Sequence, residues 1–168
     1  MTSGSNSRPR SIDLGIHIGH LSHGPQNSIT DVEGVHVGHS TIITGEGRLI
    51  PEEGPIRTGV TVVLPHTNNL YRQKIPAACH VLNGFGKSIG LSQISELGHI
   101  ESPIALTSTL NVWNVADALV EHLSDLNKGV QSFNPIVLES NDRFLNDAIG
   151  RHVKKQHVND AISSACLL

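Results

Sequence analysis

At 168 residues with a formal net charge of -3, the chain has the length of one domain, able to bury roughly two thirds of its unfolded surface in a single core. Hydrophobic residues make up 38% and charged ones 16%, with 16 Gly, 8 Pro and only 3% aromatics, which excludes a disordered chain and predicts an aliphatic, turn-rich core. Apart from a short Arg151, Lys154, Lys155 group the basic residues are scattered, so neither a nucleic-acid footprint nor a membrane-binding face is expected.

The first ten residues, MTSGSNSRPR, are polar, and the following SIDLGIHIGHL is too polar for the apolar core of a signal peptide. No run approaches the length of a transmembrane helix, so a cytoplasmic location is expected. Cys79 in PAACHVLNG and Cys166 in SSACLL sit among small apolar residues, where buried free thiols are expected, with no disulfide framework and no cysteine-based metal site.

From Ile29, ITDVEGVHVGHSTII alternates valines and isoleucines around a Gly-bearing turn and predicts a hairpin or two short strands. The Gly- and Pro-rich stretch 45–57 reads as a surface loop. TGVTVVLPH, Thr58 to His66, is a strand ended by Pro65, and IPAACHVLNGFG a less regular one. KSIGLSQISELG places Ile89, Ile94 and Leu97 near helical spacing and closes on Gly98, a left-handed cap, with Gly90 an interruption inside the helix.

SPIALTST is a short apolar strand, and NVWNVADALVEHLSDLNKG is the clearest helix of the chain. Val112, Val115, Ala116, Leu119, Val120, Leu123 and Leu126 fall on one stripe, with Asn111 placed to cap its start and Gly129 its end. FNPIVLES is the next strand, and KKQHVNDAISSACLL a final helix through Val158, Ala161, Ile162 and Ala165. Strands and helices mix without the strict alternation of a doubly wound fold, so the class is mixed αβ, of the α+β kind.

Several motifs fail on spacing. NGFGKSIG, Asn83 to Gly90, suggests a phosphate loop, but the pattern needs a glycine where Val81 stands. The dinucleotide pattern fails because Gly84 and Gly86 are followed by a glycine at 90 and not at 89. The histidines of HIGHLSH (His17, His20, His23) and HVGH (His36, His39) lack a completing Cys, Asp or Glu on a helix, so no metal site is expected. No GxSxG elbow occurs, and local context picks out no Ser, His and Asp set.

The stretch VLESNDRFLNDAIGRHV, Val137 to Val153, is different. An apolar run stops at Glu139, and Asp142, Arg143 and Asp147 follow. A carboxylate just past PIVL, with Pro135 restricting the approach, sits where a strand delivers a side chain to a cleft, although a solvated strand end fits the same residues.

The blocks GPQNSITDVEGVHVGHSTI, RTGVTVVLPH, HVLNGFGKSIGLSQISELGHIESPIALTSTLNVWNVADALVEH and ESNDRFLNDAIGRHV occur in the order of the N-terminal part of the DmpA family, and the chain resembles that family from about Arg8 to about Ala161. These are L-aminopeptidase, D-Ala-esterase/amidase proteins, which include the β-peptidyl aminopeptidases. The resemblance implies a partial αββα sandwich similar to N-terminal-nucleophile hydrolases. It also implies an inactive precursor that cleaves itself at a Gly-Ser bond, after which the exposed Ser attacks a peptide, amide or ester carbonyl with its own α-amine as base.

By the same resemblance, the glutamate of the strand preceding the LND motif, here Glu139, binds the substrate ammonium. Asn141 takes a neighbouring position that is often aromatic or apolar in relatives. Arg143 lies close to the same pocket, where its cation either opposes the ammonium or pairs with Asp142. Asn146 and Asp147 read as turn and cap residues.

The resemblance further implies that residues 1–168 form one domain, the N-terminal, alpha-chain-like portion of such an aminopeptidase. The oxyanion Asn, the cleavage site and the nucleophile are all expected beyond Leu168, so no catalytic residue is expected in this chain and it is expected to be inactive alone. The expected partners are a peptide or amino-acid amide with a free amine, a complementary nucleophile-bearing chain, and further copies in a homo- or hetero-oligomer. No cofactor is expected. A second reading is a truncated paralogue acting as a non-catalytic binding or assembly protein.

Overall fold

The structure, a computed structural model, describes residues 9–165. Four strands form the main sheet: β1 (His36–Thr44), β2 (Ile56–Leu64), β5 (Ile104–Ser108) and β6 (Ile136–Ser140), in the order β1-β2-β5-β6. β1 runs antiparallel to β2 and β2 to β5, while β5 and β6 are parallel. A two-stranded ribbon, β3 (Ile75–Pro76) with β4 (His99–Ile100), lies beside the short helix α1 (Leu91–Leu97).

Two longer helices cover one face of this sheet. Helix α2 (Val112–Leu126) is the crossover between the parallel strands β5 and β6, and α3 (Lys155–Ala165) lies across β1 and β2. The parallel pair needs such a crossover, because a tight turn cannot bring the chain back in the same direction. Val60, Val62, Leu64, Ala105 and Val137 of the sheet meet Val112, Val115 and Leu119 of α2 and Val158, Ala161 and Ile162 of α3 in one buried cluster. One glycine makes the closest approach possible: a Cβ on Gly38 of β1 would overlap the carbonyl oxygen of Ala161.

The alternate residues of the strands face the other way. His39 is paired with Thr61, Thr61 with Leu106, and Leu106 with Leu138. The His39 ring nitrogen lies 2.9 Å from the Thr61 hydroxyl, and Leu106 is 39% exposed. Helix on one face and a half-exposed sheet on the other make a mixed α+β fold.

The expected α+β class and the elements β2, β5, α2, β6 and α3 are all present. Five local expectations are corrected. The segment from Ile29 is not a hairpin: Ser28 and Asp31 form a capping box on a 3-10 turn (Ile29–Asp31), and a single nine-residue strand follows. The stretch after Ile75 is a strand for two residues only, since Ala77 and the residues that follow it up to Ser88 form no ladder. Gly90 is not inside α1 but just before it, with φ +89.

Finally, Asn111 does not cap α2 with its side chain. It is buried and spends its amide on the Ser108 hydroxyl and its oxygen on the Val153 amide, 3.2 Å away. The helix ends at Leu126, three residues before Gly129, its expected stop, and the Asn127 side chain donates to the Leu123 carbonyl there at 3.0 Å.

Candidate functional site

A cleft runs along β6 from Ile136 at the start of the strand to Glu139 and Asn141 at its end, with Ile104 of β5 beside it. Its outer wall is the segment before α1, which runs along the free edge of β6. Ile89 exchanges two backbone hydrogen bonds with Val137, at 2.9 and 3.2 Å. Gly90 makes that approach possible, since a Cβ there would overlap Ile136 and crowd the Pro135 carbonyl.

This arrangement brings Gly86 beside Glu139: a Cβ on Gly86 would stand 3.7 Å from Glu139 Oε1. Between the segment and the strands lies a cleft of about 600 Å³. Ile94, Ile100, Ile104, Ile136 and Leu138 form its apolar wall, and Ser88, Glu139 and Asn141 form its polar end. Glu139 Oε2 is buried, and among the described residues it accepts no hydrogen bond. Buried carboxylate oxygens are almost always paired, so an unpartnered one at the polar end of an apolar cleft is the outstanding feature of the site.

The turn that follows β6 is tied down by a polar network. The Asp142 carboxylate accepts from the Thr58 hydroxyl at 2.8 Å and from the Asn146 amide at 3.1 Å. Asn146 Oδ1 in turn accepts from the Arg57 amide at 2.9 Å, and the Asp147 amide donates to the Pro55 carbonyl at 3.0 Å. Asp147, itself buried, receives His152 Nε2 at 2.7 Å and the Gly150 amide at 3.2 Å.

Burial by itself raises the Asp147 carboxyl; donors from the Glu52 backbone, His152 and Gly150, with the charge of His152, outweigh it and leave the value below the ordinary carboxylate range. These contacts make Asn146 and Asp147 the turn residues expected from the sequence.

Of the three residues singled out in advance, Glu139 and Asn141 line the cleft together. Arg143 does not reach it. It lines a neighbouring cavity that also contains Asn141, its amide donates to Asn141 Oδ1 at 3.2 Å, and its guanidinium carbon lies 5.1 Å from the centre of the Phe144 ring. The guanidinium forms no ion pair with Asp142, whose carboxylate is already engaged by Thr58 and Asn146.

Sequence reasoning missed the opposite wall. Cys79 lines the cleft and is exposed, contrary to the expected burial, because the alanines beside it do not enter a strand; its sulfur lies 3.6 Å from the Ser95 hydroxyl. Cys166 lies outside the described residues. Also missed was Ser102, fully buried, whose hydroxyl accepts the Ile136 amide at 3.0 Å and so seats the start of β6. Among the described residues no three His, Cys, Asp or Glu side chains converge as metal ligands, and no helix is long and apolar enough to cross a membrane.

The sequence model of the family described as Peptidase family S58 matches residues 27–167. The chain belongs to peptidase family S58. Its relatives include the β-peptidyl aminopeptidase BapA of Sphingosinicella microcystinivorans, 40% identical over 157 residues, and that of Sphingosinicella xenopeptidilytica, 36% identical over 160 residues. Each match covers 94% of this chain but 39% of the relative, so the chain spans about two fifths of the length of these S58 proteins.

Solved structures of the same shape include the PH0078 protein from Pyrococcus horikoshii OT3, with a TM-score of 0.87 and 48% identity over 93% of this chain and 45% of that one. A Burkholderia sp. β-aminopeptidase matches with a TM-score of 0.83 and 41% identity over 93% of this chain and 43% of its own. The L-aminopeptidase D-Ala-esterase/amidase from Ochrobactrum anthropi, described as a prototype for the serine aminopeptidases and a variant of the Ntn hydrolase fold, matches with a TM-score of 0.78 and 33% identity over 94% of this chain and 44% of its own. The S58 fold seen here is therefore the N-terminal part of that Ntn-hydrolase variant.

Proposed function

We propose that this chain carries the ammonium subsite of an S58 aminopeptidase, with Glu139 as the group that requires a free N-terminus. One observation supports the reading above the others: a carboxylate oxygen buried at the polar end of an apolar cleft with nothing to accept. An ammonium supplies three donors and a compensating charge. A hydrogen bond to a charged group in such a place is worth about 1.5–3 kcal/mol, enough to discriminate a free amine from an acylated one.

On this reading Asn141, at the same end of the cleft, orients the substrate, and the isoleucine wall accepts the side chain of the residue to be released. Arg143 stands outside the ammonium pocket and does not oppose it. The attacking Ser and the oxyanion donors are supplied by a separate, nucleophile-bearing portion, as the relatives' resemblance to serine aminopeptidases suggests. The half-exposed sheet face with Leu106 is the surface such a portion would cover, completing the sandwich, and the 168 residues alone would not turn substrate over.

The test is calorimetric titration of the protein with leucine amide and with N-acetyl-leucine amide, in parallel with intact mass on material from its own source. Measurable binding of the free amine with loss on acetylation supports the reading, as does a second polypeptide beginning with Ser. Equal binding of the two compounds overturns it.

A further inference from the structure

Gly86, in the segment that forms the outer wall of the cleft, has a backbone outside the left-handed region that favours glycine. The position a Cβ would take there is 3.7 Å from Glu139 Oε1 and 3.9 Å from Ser88 Oγ, and apart from the chain neighbours of Gly86 no other described heavy atom comes within 4 Å. Gly38 and Gly90 differ, since a Cβ on either would overlap protein backbone. At Gly86 the flanking atoms are two oxygens, and both can accept a hydrogen bond.

Among the described residues no cation answers them. Glu139 forms no ion pair, and Lys87, although it follows Gly86 in the chain, donates to the Phe85 carbonyl at 2.9 Å. Asn141, the other polar residue at this end of the cleft, has its Oδ1 engaged by the Arg143 amide at 3.2 Å. Its NH2 group can only donate. The Ser88 hydroxyl is therefore the acceptor that complements the carboxylate.

We propose that Ser88 and Gly86 complete the ammonium seat, Ser88 accepting one N–H beside Glu139 and Gly86 keeping the space over itself clear, so that the site takes a primary ammonium and discriminates against a secondary one. The inference rests on Glu139 as the ammonium site. A primary ammonium has three N–H donors, which two carboxylate oxygens and one hydroxyl match one for one. An N-methyl group removes one of those donors and sets an apolar group against the oxygens, leaving an acceptor without its partner. A methyl on residue 86 itself would meet both oxygens in ordinary contact, so the fold admits it while an ammonium drawn to the same two atoms is crowded out.

The experiment is titration calorimetry on the whole protein with leucine amide and Nα-methyl-leucine amide, with scanning calorimetry on each variant. The wild type is expected to bind leucine amide at least about tenfold more tightly than the methylated amine, the scale of one hydrogen bond to a charged group. S88A should lower that ratio several-fold, and S88T, which retains the hydroxyl, should keep it. G86A should weaken leucine amide by about tenfold or more while melting at or above the wild-type temperature, because Ala at an unstrained position restricts the unfolded chain.

Wild-type affinity for leucine amide in G86A, or an unchanged ratio in S88A, overturns the proposal and leaves Glu139 as the ammonium site. A G86A protein that melts several degrees lower assigns the glycine to the fold and overturns it as well. If leucine amide and N-acetyl-leucine amide bind alike, the Glu139 reading fails and this one with it, so the two failures are told apart.

Discussion

Replacing Glu139 by Gln should move stability and recognition in opposite directions. The wild-type chain holds one carboxylate oxygen buried without a donor, and an unsatisfied buried group costs about 1–3 kcal/mol. Gln keeps the shape but removes the charge, and a neutral amide is cheaper to bury than a carboxylate. A gain on the order of 1 kcal/mol is expected, which for a chain of this length raises Tm by about 2–4 °C.

Binding goes the other way. Losing a charge-assisted contact of about 1.5–3 kcal/mol weakens the affinity for leucine amide roughly ten- to hundredfold. Scanning calorimetry and titration calorimetry on the same two proteins read both effects. A Tm several degrees lower in E139Q would show that the carboxylate anchors the fold, and unchanged affinity would show that the ammonium is held elsewhere. Either result refutes the reasoning, because a carboxylate placed for recognition is a place where stability is given up for function.

Three further outcomes follow from the packing. In G38A the added methyl meets the backbone of α3 at Ala161 and Ala165, so a loss of about 1–3 kcal/mol is expected on overpacking grounds; an unchanged urea midpoint would mean that α3 is not seated on β1. G90A combines a left-handed backbone with overlap onto Ile136, a cost of about 2–4 kcal/mol, and should speed amide exchange at Ile89 and Val137, while wild-type protection at those two amides would remove the link between this glycine and the cleft wall.

The third concerns pH. The folded Asp147 carboxyl lies below its ordinary value, so its contribution is present above the unfolded value near about 3.9 and is lost as pH falls through the lower folded one. Melting temperature should therefore drop more steeply from about pH 5 to about pH 2 in the wild type than in D147N, and parallel slopes would show that the Asp147–His152 pair does not report on folding.

Much of the fold was legible because its elements follow a local period. The stripe from Val112 to Leu119 lies against the sheet as its spacing requires, and the valines of β2 alternate into the same cluster. Failures came where a local signal competed with a distant partner. Asn111 looks like a helix cap, but Val153, 42 residues away, claims its oxygen. The valines from Ile29 onward look like a hairpin, but β1 finds its partner in β2, with His36 opposite Leu64.

The site divides in the same way. The sequence alone marked Glu139, because an apolar strand ending in a carboxylate is a pattern of neighbours, and its order of blocks carried the family resemblance that the S58 match bears out. Only the tertiary structure decided that one oxygen of that carboxylate is buried and free, that isoleucines from four separate elements wall the cleft beside it, and that Arg143 belongs to a neighbouring cavity with Lys87. These depend on the segment before α1 folding along the edge of β6, an approach between residues some fifty positions apart that Gly90 permits, and no local period encodes a contact at that separation.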